Sequence, residues 1–153
     1  MKNEQVILIK TDADFKGLKS LAGKTIGVQS DSSADAALNE NKEFKDTLKS
    51  VVQIDDYSKA VLELQNGTID AIAIDEVVAR FYLANNPGAY KMLEEEDGKS
   101  SSLATEDYII GFRKADNALK TKIEETLKEM ASDGTMAKIS KKWFDKDVTT
   151  IGK

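Results

Sequence analysis

The sequence contains no cysteine and no histidine among its 153 residues, and it has only one proline and one tryptophan. Without cysteine there is no disulfide, no thiolate nucleophile and no cysteine-based metal site. Without histidine the commonest general base and most zinc and iron sites are excluded as well. An enzyme built from this chain would have to work with Asp, Glu, Lys, Tyr and Ser.

Long apolar runs and a strong charge of one sign are also missing. No run approaches the roughly 20 residues of a membrane span, and residues 1–5 lead into a predicted strand without the features of a signal peptide. The net charge of −5 comes from 27 acidic and 22 basic residues, which argues against nucleic acid as a partner. The acidic run at residues 94–97 lacks the ligand spacing of a calcium loop, and we interpret it as a solvated turn.

The sequence does contain an alternation of short apolar runs and helical patterns. The predicted strands are apolar throughout, and they cover residues 6–9, 25–28, 51–54, 71–74 and 90–93. The clearest helical pattern has Tyr57, Ala60 and Leu64 on one face, with Gly67 just past its end. Strands that are apolar on both faces are typical of a parallel sheet covered by helices on both sides. The predicted fold class is therefore α/β, with a three-layer, doubly wound sheet.

The pattern changes after residue 94. Residues 94–106 are polar and loop-like, and residues 108–113 predict another strand. Two helical patterns follow, and their apolar positions are Leu119, Ile123, Leu127, Met130, Ile139, Trp143 and Phe144. We expect these side chains to pack into a core, and we place a boundary near residue 106.

Two places in the predicted sheet have the chemistry of a binding site. Asp75 ends an apolar strand and begins a helix, at the carboxyl edge where open α/β sheets bind ligands. Ser32 and Ser33 begin an earlier helix, where free N–H groups and the helix dipole favour an anion. Helix capping is the alternative at both places. Asp70 precedes its strand and fits a turn or surface role.

Four stretches of the sequence resemble a known family. They are residues 18–29 (LKSLAGKTIGVQ), residues 67–75 (GTIDAIAID), residues 108–114, and the DGT of residues 133–135 followed by KKWF. In order, spacing and residue type they resemble the amino-acid-binding proteins of ABC importers, the polar amino-acid class (family 3) of extracellular solute-binding proteins. The resemblance implies the type II periplasmic-binding-protein fold, in which two α/β lobes joined by hinge strands close on a ligand.

The resemblance also implies how the chain is organised. Residues 1–106 would form the second, ligand-closing lobe. Residues 107–153 would supply a hinge strand and two helices to the first lobe, most of which would precede residue 1. We therefore expect the apolar faces of the last two helices to lack a partner in this chain, and to promote a homodimer or a dimer that exchanges its tails.

The function that the resemblance implies is non-covalent binding of a free polar amino acid for uptake, with a membrane permease as partner and with no cofactor, no metal and no nucleic acid. The location implied is extracellular or periplasmic, with a membrane anchor on the full-length protein and no signal or anchor in this chain. A sensor domain of a signalling receptor and an enzyme similar to cyclohexadienyl dehydratase share this fold and stay open as alternatives.

The resemblance assigns roles to the residues at the predicted edge. The aspartate at position 75 receives the ligand's α-ammonium in the family, and the loop with Ser30, Ser32 and Ser33 holds the α-carboxylate through N–H and hydroxyl groups. The ligand side chain would contact Gln29, and Ile74 would offer only apolar contact.

One residue departs from the family pattern. Asp31 stands where glycine is usual. A carboxylate beside a carboxylate-binding loop is unfavourable unless it points away.

Overall fold

The computed structural model describes residues 1–152, which divide into two compact units. The first, called here the α/β unit, comprises residues 4–105. The second, called the helical unit, comprises residues 1–3 together with the chain from residue 106 onward. Two strands, β1 (Lys2–Lys10) and β6 (Ser102–Asp107), have residues in both units.

The α/β unit alternates strands and helices in the order that the sequence predicts. After β1 come a 3₁₀ turn (Leu18–Leu21), β2 (Thr25–Gln29), α1 (Ser33–Glu40), α2 (Lys42–Lys45), β3 (Ser50–Ile54), α3 (Tyr57–Asn66), β4 (Ala71–Asp75), α4 (Glu76–Asn85) and β5 (Tyr90–Met92). The sequence pattern favours one loosely extended helix through α1 and α2, but the structure interrupts it at Asn41. The Asn41 side chain accepts from the Phe44 N–H at 3.3 Å and so begins a separate helix.

In the sheet of the α/β unit, β2, β3, β4 and β5 run in one direction and β1 runs in the opposite direction. Its strand order is β3-β2-β4-β1-β5, and β6 pairs with β1 as well. β2 pairs in parallel with β3 and β4, whereas β1 is antiparallel to both β4 and β5. The predicted α/β class with a doubly wound sheet is confirmed, with β1 as a reversed strand in its interior.

Helices cover both faces of this sheet, which explains why its strands are apolar throughout. In β1, Ile7 packs on one face with Leu38 of α1, and the next residue, Leu8, packs on the other face with Leu64 of α3. Each large aliphatic side chain buried in this way contributes about 1.5–3 kcal/mol. The three-layer arrangement follows from this two-sided core.

The helical unit contains α5 (Asn117–Ser132) and α6 (Thr135–Phe144), which pack against each other. Polar contacts of Ser140 hold the segment that follows α6. Ser140 Oγ donates to the Lys146 carbonyl at 2.8 Å and accepts from the Val148 N–H at 3.0 Å. In residues 1–152, no helix combines the length and the apolar character needed to cross a bilayer.

The strand predicted over residues 108–113 is wrong. The strand in this region is β6, which lies six residues earlier, in the segment expected to be a loop. β6 has β1 as its partner, whereas residues 109–113 pair with no strand in the described part of the chain. Ile109 is 86% exposed. An apolar run predicts a strand only where a sheet is present to receive it.

Part of the apolar surface of the last two helices has no partner within residues 1–152, as the resemblance implies, and the core expected from the helical pattern alone is incomplete here. No residue of α5 is buried, and in α6 only Ser140 is buried. Ile139 and Trp143, expected in a core, are exposed. Beside these helices lies a groove of about 680 Å³ whose apolar walls include Ile110, Ile123 and Leu127. Nothing within residues 1–152 fills this groove.

Candidate ligand-binding site

Three helices begin at one edge of the sheet. Because β2, β3 and β4 run parallel and are neighbours, their carboxyl ends lie at the same edge. The next helix after each strand, α1, α3 and α4 respectively, begins there. Helix N-termini present N–H groups and a positive dipole end. Crevices at the carboxyl ends of the strands are where open α/β sheets bind ligands.

Asp75 lies at this edge, as the sequence predicts. It is the last residue of β4, occupies the N-cap position of α4 and is half-buried. Its Oδ1 accepts a hydrogen bond from Gln5 Nε2 at 2.7 Å. Gln5 is fully buried and stands directly opposite Asp75 in the antiparallel pairing of β1 with β4.

Strand alternation indicates the direction of the Asp75 side chain. Successive side chains of a strand point to opposite faces, so Asp75 shares a face with Ala73. Ala73 packs in the cluster that contains Ala34 and Leu38 of α1. Asp75 and the beginning of α1 therefore lie on the same face of the sheet. The carboxylate and the helix N-terminus form a pair of opposite polarity at one edge.

Ser32 and Ser33 have different positions at the start of α1. Ser32 is the N-cap, and its Oγ accepts from the Asp35 N–H at 3.2 Å. Ser33 is the first helical residue and is exposed. Within residues 1–152, the N–H groups of Ser33 and Ala34 have no protein acceptor. Ala34 is fully buried, whereas Ser33 is exposed, so the Ser33 N–H and hydroxyl can donate hydrogen bonds to an anion.

Asp31 adopts the conformation that favours glycine. Its φ is +56°, and Asp145 is the only other non-glycine residue of the described chain with a positive φ. Left-handed geometry is unfavourable for residues with a Cβ. The turn between β2 and α1 thus gives a physical reason why glycine is usual here, and Asp31 adds an exposed carboxylate beside the helix start.

Gln29 and Ser30 donate hydrogen bonds to the end of β3 and to the residue that follows it. Gln29 Nε2 donates to the Asp55 carbonyl at 3.2 Å. The Ser30 N–H donates to the Ile54 carbonyl at 2.9 Å, and Ser30 Oγ reaches the same oxygen at 3.5 Å. Ile74 is fully buried in the core on the α3 face of the sheet. These three residues support the edge, and their contact with a ligand stays a prediction.

Two charged pairs lie at the starts of α3 and α4. Lys59 Nζ lies 2.6 Å from Asp55 Oδ2, and this hydrogen bond and the lysine charge lower the pKa of Asp55. At the start of α4, Arg80 donates to the largely buried Glu76 at 2.8 Å. In the described part of the chain no cluster of acidic side chains is arranged to hold a metal ion.

Sequence reasoning missed Gln5. The available signal is a polar residue placed directly before the apolar run at residues 6–9. Its partner, Asp75, is 70 residues away in the chain, and periodicity does not detect pairs at that distance.

Several known proteins are similar to this chain. The chain is 32% identical over 142 residues to an arginine-binding extracellular protein of Bacillus subtilis, covering 91% of this chain and 52% of the relative. A substrate-binding protein of Streptococcus pneumoniae, solved with bound histidine, superposes with a TM-score of 0.79 at 35% identity, covering 98% of this chain and 61% of that one. The structure of Tv2483 bound to L-arginine superposes with a TM-score of 0.76 at 28% identity, covering 100% of this chain and 60% of that one.

The chain spans about half the length of the curated relatives it matches, with 52% and 50% of two of them covered. Residues 2–146 match the sequence profile of the bacterial extracellular solute-binding proteins, family 3. This match covers nearly the whole chain. The chain therefore belongs to the family 3 bacterial extracellular solute-binding proteins.

Proposed function

We propose that this chain is a ligand-binding part of the solute-binding protein of an amino-acid ABC importer, and that it holds a free polar amino acid without covalent chemistry. The observation that carries the proposal is the pairing of Asp75 with the start of α1 on one face of the sheet edge. Relatives named for arginine, cystine, glutamine and histidine binding support this ligand class.

The pairing matches the charges of an amino acid. A free amino acid carries an ammonium and a carboxylate on the same carbon. Asp75 supplies a carboxylate for the ammonium, with charge-assisted hydrogen bonds. The N–H and the hydroxyl of the exposed Ser33, at the start of α1, supply donors for the ligand carboxylate. Both charges are met at one edge, without a cofactor.

We propose further that residues 1–106 correspond to the ligand-closing lobe of the family. Residues 107–153 would then belong to a first lobe, most of which this chain does not contain. On this assignment the chain alone provides only half of the contacts to the ligand. We therefore expect it to bind free amino acids weakly, with dissociation constants in the millimolar range.

An Asp75→Asn variant tests the proposed site. Removing one partner of a desolvated charge pair costs about 2–5 kcal/mol, so binding detected by ¹⁵N NMR titration with L-arginine, L-histidine and L-glutamine should disappear. Asp70→Asn is the matched control, because Asp70 precedes the same strand and accepts from the Thr25 N–H at 2.8 Å, away from the edge. Unchanged titration of the Asp75→Asn variant would contradict the proposal.

The absence of turnover is also part of the proposal. The amino acid recovered after incubation with the protein should have an unchanged mass. A changed product would instead support an enzyme on this fold.

The proposed location is extracellular or periplasmic, with a membrane anchor on the full-length protein and an importer permease as partner. An arginine-binding extracellular protein and a histidine-binding periplasmic protein are among the relatives, and they support this location. Fractionation of cells producing the full-length protein tests it. Recovery in the cytosol would contradict it.

We propose that a second copy of the chain covers the apolar face of the helical unit. The exposed large apolar side chains of this unit are Tyr108, Ile109, Ile110, Leu119, Ile139 and Trp143, and the first three line the apolar groove. Exposed apolar patches of this kind promote association. Light scattering should give the mass of a dimer, and Ile109→Lys should give a monomer. A wild-type chain that stays monomeric at high concentration would contradict the dimer.

A further inference from the structure

Gln5 is a buried polar side chain at the edge of an apolar strand. It precedes the apolar run at residues 6–9 and is 0% exposed. A buried amide is unfavourable unless it is hydrogen-bonded. Its Nε2 donates to Asp75 Oδ1 at 2.7 Å, so the amide has a charged acceptor. The polar residue at this point of the core is therefore tied to the proposed ligand contact.

The pairing of the strands gives this contact its direction. Gln5 and Asp75 are directly opposite each other in the antiparallel ladder of β1 and β4. Side chains of opposite residues point to the same face and lie close together. A hydrogen bond to a carboxylate is short and stronger than one between neutral groups. The rigid backbone ladder thus holds both ends of the contact.

We propose that Gln5 is a positioning residue, which holds the Asp75 carboxylate in the orientation that receives the ligand's α-ammonium. The inference rests on the proposed function. Gln5 engages one carboxylate oxygen, and a carboxylate has about four lone-pair sites for further donors. A side chain that is fixed before binding loses less conformational freedom when the ligand arrives.

Gln5 should affect the selectivity of binding as well as its affinity. Only ligands that carry the α-ammonium depend on the orientation of Asp75. A ligand that lacks this group but keeps its carboxylate and side chain should not detect the loss of Gln5. This difference separates positioning from a general effect on the fold.

The same strand provides a matched control. Asn3 is also fully buried, and its Nδ2 donates to Glu106 Oε1 at 2.8 Å. This is again a buried amide on a carboxylate, two residues before Gln5 and outside the proposed site. Asn3→Leu and Gln5→Met each remove one such donor and replace the amide with an apolar side chain of similar size.

The experiment is a ¹⁵N NMR titration of the full chain with two pairs of probes. L-arginine is compared with 5-guanidinopentanoate, which lacks the α-amino group, and L-histidine with 3-(imidazol-4-yl)propanoate. Gln5→Met should raise the dissociation constant of the amino acid that binds by about tenfold, because the Asp75 side chain would then lose conformational freedom when the ligand binds. The constant for its deaminated partner should stay within about twofold. Asn3→Leu should change neither.

Each outcome decides between the two claims. Binding by the wild type that Gln5→Met leaves unchanged would overturn the positioning role and leave the proposed function standing. An equal loss for both members of a probe pair would overturn it too, because the effect would then be structural. No binding of any probe by the wild type would overturn the proposed function, and the inference with it. If Gln5→Met does not fold, Gln5→Asn keeps the amide but shortens it, and the same selective loss is expected.

Discussion

The two units of the molecule use their apolar side chains differently. The largest fully buried apolar side chains, such as Ile7, Leu64 and Ile72, all lie in the α/β unit. Most of the large apolar side chains that remain exposed, such as Ile109 and Trp143, lie in the helical unit. In that unit Val148 is the only buried apolar residue among those described.

The difference follows from the number of layers. In the α/β unit a sheet has helices on both faces, so each apolar surface meets another. In the helical unit α5 and α6 pack on each other and expose the rest of their apolar surface. Domains are built from layers that bury each other's apolar faces. The sequence of the helical unit therefore has the apolar positions of a layer that packs against another layer, but the described residues do not include that second layer.

The largest effect expected from this comparison concerns two helical leucines. Leu64 of α3 is 0% exposed and Leu119 of α5 is 53% exposed. Leu64→Ala should lower the free energy of unfolding by about 2–5 kcal/mol, as cavity-forming substitutions do. Leu119→Ala should change it by less than about 0.5 kcal/mol in the monomer. Urea unfolding at low protein concentration measures both.

Protein concentration sharpens this test. If a second copy covers the helical unit, the cost of Leu119→Ala should increase as the concentration rises. A cost above about 2 kcal/mol at every concentration would mean that Leu119 is buried within one chain, and the contrast between the units would be lost.

A smaller effect is expected at the two aspartates with positive φ, one in each unit. Asp31 has φ +56° and lies in the turn before α1, whereas Asp145 has φ +53° and lies at the end of α6. Glycine at either position relieves the left-handed conformation, with a gain of up to about 1 kcal/mol in the free energy of unfolding. Thermal unfolding of Asp31→Gly and Asp145→Gly measures this gain.

Ligand binding separates the two aspartates. Only Asp31→Gly should strengthen binding of the amino acid, because only Asp31 places a carboxylate beside the proposed carboxylate site. Equal affinities of both variants and the wild type would show that the Asp31 carboxylate points away from the ligand.

The smallest effect concerns two exposed aspartates whose pKa is lowered for different reasons. Lys59, by its hydrogen bond and its charge, lowers the pKa of Asp55 in the α/β unit. In the helical unit, hydrogen bonds from the Thr135 side chain and N–H lower the pKa of Asp133. Salt screens charges more than hydrogen bonds. At about 1 M salt the Debye length is only about 3 Å. NMR titration at this salt concentration should show that the pKa of Asp55 rises more than the pKa of Asp133.

The sign of the accompanying stability change follows from linkage. Both pKa values are lowered from 3.8 in the folded chain, so both carboxylates stabilise the fold above that pH. This contribution is lost as the pH falls through the folded pKa. Lys59→Met should remove the effect at Asp55 alone. A pKa of Asp133 that responds to salt as strongly as that of Asp55 would contradict the assigned causes.

The sequence predicts the elements whose partners lie in the same chain. The strands of the α/β unit, and the Asp75 and Ser32–Ser33 edge, follow from apolar runs, turns and helix starts, because each run finds a neighbouring strand and a covering helix. The strand expected at residues 108–113 fails because its apolar pattern has no sheet to join. The contact of Gln5 was not predicted from the sequence, because it depends on a pairing across the sheet. The sequence pattern around Gln29 does not predict its hydrogen bond to the Asp55 carbonyl, because that bond depends on where the loop after β3 lies.

The reversed strand β1 also has a consequence for the order of folding. β2, β3 and β4 connect through short crossovers, whereas Gln5 meets Asp75 across 70 residues of chain. Closing a long loop reduces the entropy of the chain before the new contacts stabilise it, so pairings between distant residues form slowly. We therefore expect β2, β3 and β4 to assemble first and β1 to insert between β4 and β5 in a later step. Pulse-labelling hydrogen exchange during refolding would detect this as late protection of the β1 amides, and the proposed site would be completed only when the last strand enters the sheet.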